Sequence, residues 1–203
     1  MTDAASAQPL MSTPEPRRPL RQVRSTLLVA SLAALRDLGR MDDYQRALPP
    51  EHHAAILEAI PGNWMPVEIA LAHYQACDSL GYSHTAMVDI GRRVGDRLRG
   101  TLLGTAVRLS KKVGVTPWSV LPLIPRFWTR LFDGSGMVGW RLGPKEARID
   151  IFEMPLCDTA YFRNALCGQG MGVFDLFCAK SYVEEKKAPG TPAGSCSMRV
   201  QWA

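Results

Sequence analysis

The spacing at which apolar residues recur changes once along this chain, near residue 136, and that change limits the fold more than any other feature. Before it, large apolar side chains return every three or four residues. From residue 85 to 113 a single helical stripe runs through Met87, Gly91, Val94, Leu98, Leu102, Thr105 and Leu109, while Arg92, Arg93, Asp96, Arg97 and Arg99 fall elsewhere. After the turn Asp133, Gly134, Ser135, Gly136, the spacing becomes two. Val138, Trp140 and Leu142 alternate with Gly139 and Arg141, and past Gly143, Pro144 and Lys145 the series Ala147, Ile149, Ile151 alternates with Arg148 and Asp150. This pattern predicts a β-hairpin.

Other elements follow from their punctuation. Helices are expected over 23–40, over 50–60 with Pro50 and Glu51 in the first turn, and from Pro66 to Gly81. A further helical stretch opens at Thr116 and Pro117 and runs to about Phe132, with Pro122 and Pro125 expected to kink or divide it. Asp158 is a candidate cap for a helix containing Tyr161, Phe162, Leu166, Met171 and Phe174. Two last strands are expected over 179–185 and 195–202. The fold class is therefore α+β: a helical N-terminal half followed by a ββαββ antiparallel-sheet unit.

Composition places this order in one globular domain. Of the 203 residues, 46% are hydrophobic and 21% charged, enough to bury a sizeable core. Residues 1–22 are mainly Ala, Ser, Thr, Pro and Arg and are expected to form a disordered tail, leaving 23–203 as a single α+β ligand-binding-like domain. The most apolar early run, Leu27 to Leu35, is too short to span a membrane. No signal-peptide pattern opens the chain, so a cytoplasmic location is expected. Cys77, Cys157, Cys167, Cys178 and Cys196 are odd in number and widely spaced, which predicts reduced thiols.

The formal charge of +5 is partly a property of the tail, where Arg17, Arg18, Arg21 and Arg24 face Asp3 and Glu15. Arg92, Arg93, Arg97, Arg99, Arg108, Lys111 and Lys112 spread around one long helix interrupted by Asp89 and Asp96, so nucleic-acid binding is disfavoured.

Catalytic patterns are thin. There is no G-x-S-x-G, and His52, His53, His73 and His84 all lie in the helical half. Asp42/Asp43 and Glu184/Glu185 are adjacent pairs whose side chains diverge in regular structure. Gly168, Gln169, Gly170, Met171, Gly172 follows a helical segment, not a strand, and lacks the Lys-Ser/Thr of a phosphate loop, so close helix packing is expected there. His73 and Cys77 share a helix face at i, i+4, but with no third ligand they predict a core histidine beside a core thiol, not a metal site. No catalytic or metal residue is assigned. The alternative to a binding protein is a cysteine- or metal-dependent enzyme, which needs Cys157, Cys167 or Cys196 in a cleft with a histidine or second thiolate.

Residues 140–202 resemble the superfamily of vinyl-4-reductase-type domains, haem-nitric-oxide-binding domains and TRAPP vesicle-transport subunits. The resemblance rests on the element order, on Cys157 and Asp158 leading into Tyr161, Phe162 and Arg163, on the Gly-rich stretch Cys167 to Gly170, and on the closing run Gly194 to Met198. Residues 25–203 also look like an uncharacterised bacterial family of this type, with 72–74 and 143–148 as its signatures.

The resemblance implies an apolar cavity between helices and sheet that holds a small molecule, lipid or porphyrin-like group, often in a homodimer built on the helical half. Haem is disfavoured, since neither Tyr161, Phe162, Arg163 nor Tyr182, Val183, Glu184 matches the Tyr-x-Ser-x-Arg clamp of haem-binding members. The zinc site of aromatic-sensing members would map to Glu185, Ala188 and Cys196, where the middle thiolate is missing.

The expected function is a non-catalytic small-apolar-ligand-binding sensor or protein-interaction adaptor with an unidentified protein partner. Trp118, Phe127, Trp128, Trp140, Phe152 and Phe162 are the candidate ligand-binding residues. Gly91, Gly95 and Gly104 allow close helix contact, either in a homodimer or within the chain.

Overall fold

A computed structural model describes residues 9–13, 18–99, 114–186 and 189–203. The strands are β1 (Met11–Ser12), β2 (Gln22–Arg24), β3 (Trp64–Pro66), β4 (Phe132–Asp133), β5 (Gly136–Gly143), β6 (Glu146–Phe152), β7 (Ser181–Glu185) and β8 (Cys196–Trp202). The helices are α1 (Ser25–Asp37), α2 (Met41–Ala47), α3 (His53–Leu57), α4 (Val67–Asp78), α5 (His84–Arg99), α6 (Pro117–Val120), α7 (Ile124–Leu131) and α8 (Ala160–Phe174). Single 3-10 turns, Pro50–His52, Leu121–Leu123 and Pro155–Asp158, precede α3, α7 and α8. The α+β class and the order of helices, hairpin, helix and two strands stand as read from the sequence.

The main sheet has five antiparallel strands in the order β1-β5-β6-β8-β7, and a small sheet runs β3-β2-β4. Period-two patterning decides which face of the main sheet meets the helices. Ile149 pairs with Met198 and Ala147 with Val200, Met137 pairs with Ile151, and all six are buried. On the other face Asp150 accepts hydrogen bonds from Trp140 Nε1 at 2.8 Å and Ser197 Oγ at 2.8 Å, and Arg199 pairs with Glu146 at 2.7 Å.

Helix α8 lies between that sheet and α5. Its glycines permit the approach to α5: a Cβ on Gly168 would sit 2.0 Å from the Val88 carbonyl oxygen, and one on Gly91 of α5 would sit 2.0 Å from the Ala165 carbonyl oxygen. Gly95 likewise faces Gln169. The intrachain alternative thus accounts for Gly91 and Gly95, which removes that support for a homodimer; Gly104 lies outside the described residues. Arg92 pairs with Asp175 at 3.0 Å and Arg97 with Asp37 at 2.5 Å, while Arg108, Lys111 and Lys112 are outside the described residues.

Two expectations need correction. Parts of the 1–22 segment are ordered: Met11 pairs with Gly139, Leu20 is buried and its N–H donates to the Glu153 carbonyl at 2.9 Å. A few apolar residues suffice here because an existing strand edge supplies their partners. The stretch from Thr116 is divided and helical to Leu131, as expected, with β4 following at Phe132. Asp158 does not cap α8; it accepts from the Gly194 N–H at 2.8 Å. The cap is Asp78 of α4, whose carboxylate accepts from Tyr161 N–H at 2.7 Å and Ala160 N–H at 3.1 Å.

Candidate functional site

Between α5, α7, α8 and the inner face of the main sheet lies a cavity of about 160 Å³. Helix α7 shows how the sequence builds it. Ile124, Phe127, Trp128 and Leu131 stand at i, i+3, i+4 and i+7, so one stripe of the helix faces the cavity. Leu166, Val173 and Phe174 of α8 form a second wall, Ile149, Val183 and Met198 the floor, and Gly170 leaves room beside Val183. Among the described residues, Arg130 and Gln169 are the charged and amide members of the lining. Arg130 is exposed and Gln169 partly so, which puts both at the rim.

Of the six aromatic candidates, the structure places Phe127 and Trp128 in this wall. Trp118 instead ties α6 to the hairpin: its Nε1 donates to the Pro144 carbonyl at 2.9 Å and its ring meets Trp202 edge-on at 4.7 Å. Trp140 belongs to the opposite face of the sheet through Asp150, and the alternation of β6 puts Phe152 on that face as well. Phe162 is core, edge-on to Tyr74 at 5.1 Å. The aliphatic wall of α8 and the sheet floor line the cavity without being legible as such; their period shows in the sequence, but not the volume they border.

A second cluster, wholly buried, joins α1, α2, α4 and α8. Tyr44 Oη meets His73 Nδ1 at 2.7 Å, His73 Nε2 meets Ser31 Oγ at 3.0 Å, and Ser31 Oγ meets Tyr161 Oη at 3.1 Å. Burial lowers the His73 pKa to about 3, so the ring is neutral, with one donor and one acceptor nitrogen, and the chain satisfies both. Cys77 lies 3.8 Å from His73 Nε2, and burial raises its pKa. This is the core histidine and thiol expected from the i, i+4 spacing. Its side chains are buried, and burial raises the Tyr44, Tyr161 and Cys77 pKa values and lowers that of His73, which favours their neutral forms.

The remaining cysteines divide. Cys157 and Cys196 meet as a disulfide with Cα atoms 5.8 Å apart, correcting the expectation of reduced thiols for this pair. They border a polar surface pocket with Asp158, Arg163 and Glu185, and Arg163 is ion-paired to Glu185 at 2.9 Å. Cys167 is buried against Met198 Sδ at 3.4 Å, and burial pushes its pKa up to about 12. Neither arrangement puts a thiolate beside a histidine. No group of three metal-ligating side chains occurs among the described residues, and no helix among them is long and apolar enough to cross a membrane.

No family model matches the chain, and no curated protein matches it. Solved structures do. A protein from a study of haem distortion in the H-NOX family aligns with a TM-score of 0.59 at 10% identity, over 88% of this chain and 94% of its own. An H-NOX protein from S. oneidensis in the Fe(II)NO state aligns at 0.57 and 11% identity, over 89% and 99%. Subunit 3 of the trafficking protein particle complex from Naegleria fowleri, covalently bound to palmitic acid, aligns at 0.51 and 16% identity, over 67% and 94%. At such identities the similarity is one of fold, and the fold of this chain is that shared by H-NOX domains and a TRAPP subunit.

Proposed function

We propose that this chain is a non-catalytic binding domain, a sensor-type module whose cavity takes one small apolar molecule. The observation that carries the reading is the cavity itself, lined by aliphatic and aromatic side chains, with Arg130 and Gln169 at its rim and no thiol, imidazole or carboxylate among the described residues of its wall. Such a wall binds and orients but has no group to transfer a proton or attack a carbon. In the solved proteins of this fold a large apolar-bodied group is named, haem distortion for H-NOX and palmitic acid for the TRAPP subunit.

Haem does not fit this cavity. Its volume of about 160 Å³ is close to the roughly 150 Å³ of an engineered cavity that holds a single benzene, and the described residues of its wall include no histidine, cysteine or tyrosine to ligate iron. A body of one ring or a short branched chain matches the space. Toluene is the direct probe. At saturating concentration it should raise the thermal midpoint by about 5 °C or more, as expected for a ligand that binds only the folded state, and Leu166→Trp, which fills the cavity from α8, should abolish the rise. A wild-type midpoint that toluene leaves unmoved contradicts the reading.

A further inference from the structure

The rim of the cavity carries a positive charge that the chain itself does not neutralise. Arg130, in the last turn of α7, lines the cavity and is exposed. Its guanidinium carbon lies 5.9 Å from the centre of the Phe127 ring, which also lines the cavity, so the charge sits beside the apolar wall and within reach of solvent. Among the described residues its guanidinium has neither an ion-pair partner nor a hydrogen-bond acceptor. Arg92, Arg97, Arg163 and Arg199 show the usual outcome in this chain, each paired with a carboxylate. Nothing local does this for Arg130. Residues 114–131 contain no Asp or Glu, and Arg126, one turn earlier, adds a second exposed cation; like charges at i, i+4 repel. Asp133 is already held by Arg18 at 2.7 Å and Arg21 at 2.8 Å.

We propose that the occupant is a carboxylate with a ring-sized apolar body, an arylalkanoate or short branched-chain acid, its body in the cavity and its head at the rim against Arg130. This rests on the binding reading above and narrows it: the apolar body also bears one anionic head. Each part goes where its solvation is least disturbed. The body leaves water for a wall of aliphatic and aromatic side chains, while the carboxylate stays hydrated and escapes the cost of burial. An exposed ion pair adds little affinity by itself. The cavity therefore supplies most of the binding, and Arg130 supplies the choice of head group and the direction in which the ligand enters. Gln169, the other polar side chain at the rim, carries no charge to oppose an anion.

Hydrocinnamate and hydrocinnamamide test this on the full chain, because they share a body and nearly a shape and differ in charge. In titration calorimetry at low ionic strength, Arg130→Gln should weaken the carboxylate about fivefold and leave the amide unchanged, so that the ratio of the two affinities falls by that factor. High salt should lower the wild-type ratio to a similar extent and leave the ratio in Arg130→Gln unmoved, since exposed charges are screened. A ratio unchanged by Arg130→Gln, or unchanged by salt in the wild type, overturns the anionic head while leaving the cavity as a binding site. A wild-type protein that binds toluene but neither of these compounds overturns it as well. Failure of toluene to bind together with both compounds overturns the binding reading and this inference together. The wild-type salt dependence decides the matter even where Arg130→Gln folds poorly.

Discussion

His73 shows how far a single residue can be read and where reading stops. Its i, i+4 relation to Cys77 marks both as core, which the structure bears out. Its partners Tyr44 and Ser31 come from α2 and α1, and no spacing along the chain joins them. The consequence is a pH dependence with a definite sign. The folded pKa of about 3 lies below the usual value of about 6.5 for an unfolded histidine. Above pH 6.5 the ring is neutral in both states and adds no slope. Below it the unfolded chain takes up a proton that the folded chain refuses, so stability falls by about 1.4 kcal/mol per pH unit until the folded pKa is reached. Urea unfolding at pH 7.5 and 4.5 should therefore show a loss in the wild type that exceeds the loss in His73→Gln by about 3 kcal/mol. Equal losses in the two proteins contradict a neutral buried ring.

At the scale of elements, α5 and α8 are legible as helices but their contact is not. Glycine stripes in both promised a close backbone approach without naming the partner, and the structure supplies it by setting Gly168 against Val88 and Gly91 against Ala165. Two effects compete in Gly168→Ala. Helix propensity favours alanine by about 1 kcal/mol, but a Cβ 2.0 Å from the Val88 carbonyl oxygen forces the helices apart at a cost of about 3 kcal/mol. The contact wins, so urea unfolding should show a net destabilisation of about 2 kcal/mol; a variant as stable as wild type rules out the packing described. The cap of α8 is non-local for a similar reason. Asp158 has the local position of a cap, yet Asp78 of α4 does the capping, and Asp78→Ala should lower stability by about 1–2 kcal/mol where Asp158→Ala leaves the first turn of α8 intact by hydrogen exchange. Strands β1 and β2 escaped sequence reading because two- and three-residue strands have no alternation to detect.

Across the whole molecule, the change of period near residue 136 was enough to establish the helical half, the hairpin and the closing strands, because each regular element carries its own pattern. The cavity carries none. It exists where stripes from α5, α7, α8 and the sheet face one volume without filling it, and large aromatic side chains do not mark it. Phe127 and Trp128 border it, while Trp118, Trp140, Phe152 and Phe162 serve the hairpin, the outer sheet face and the core. An apolar space that lies between helices and sheet and admits a guest should take up an inert apolar atom. Xenon is the suitable probe, since it enters apolar cavities and makes no hydrogen bonds. In a crystal held under xenon gas, a xenon atom should lie in contact with Ile149, Leu166 and Val183; a site with no xenon and side chains closed over the space would mean that the cavity admits no guest.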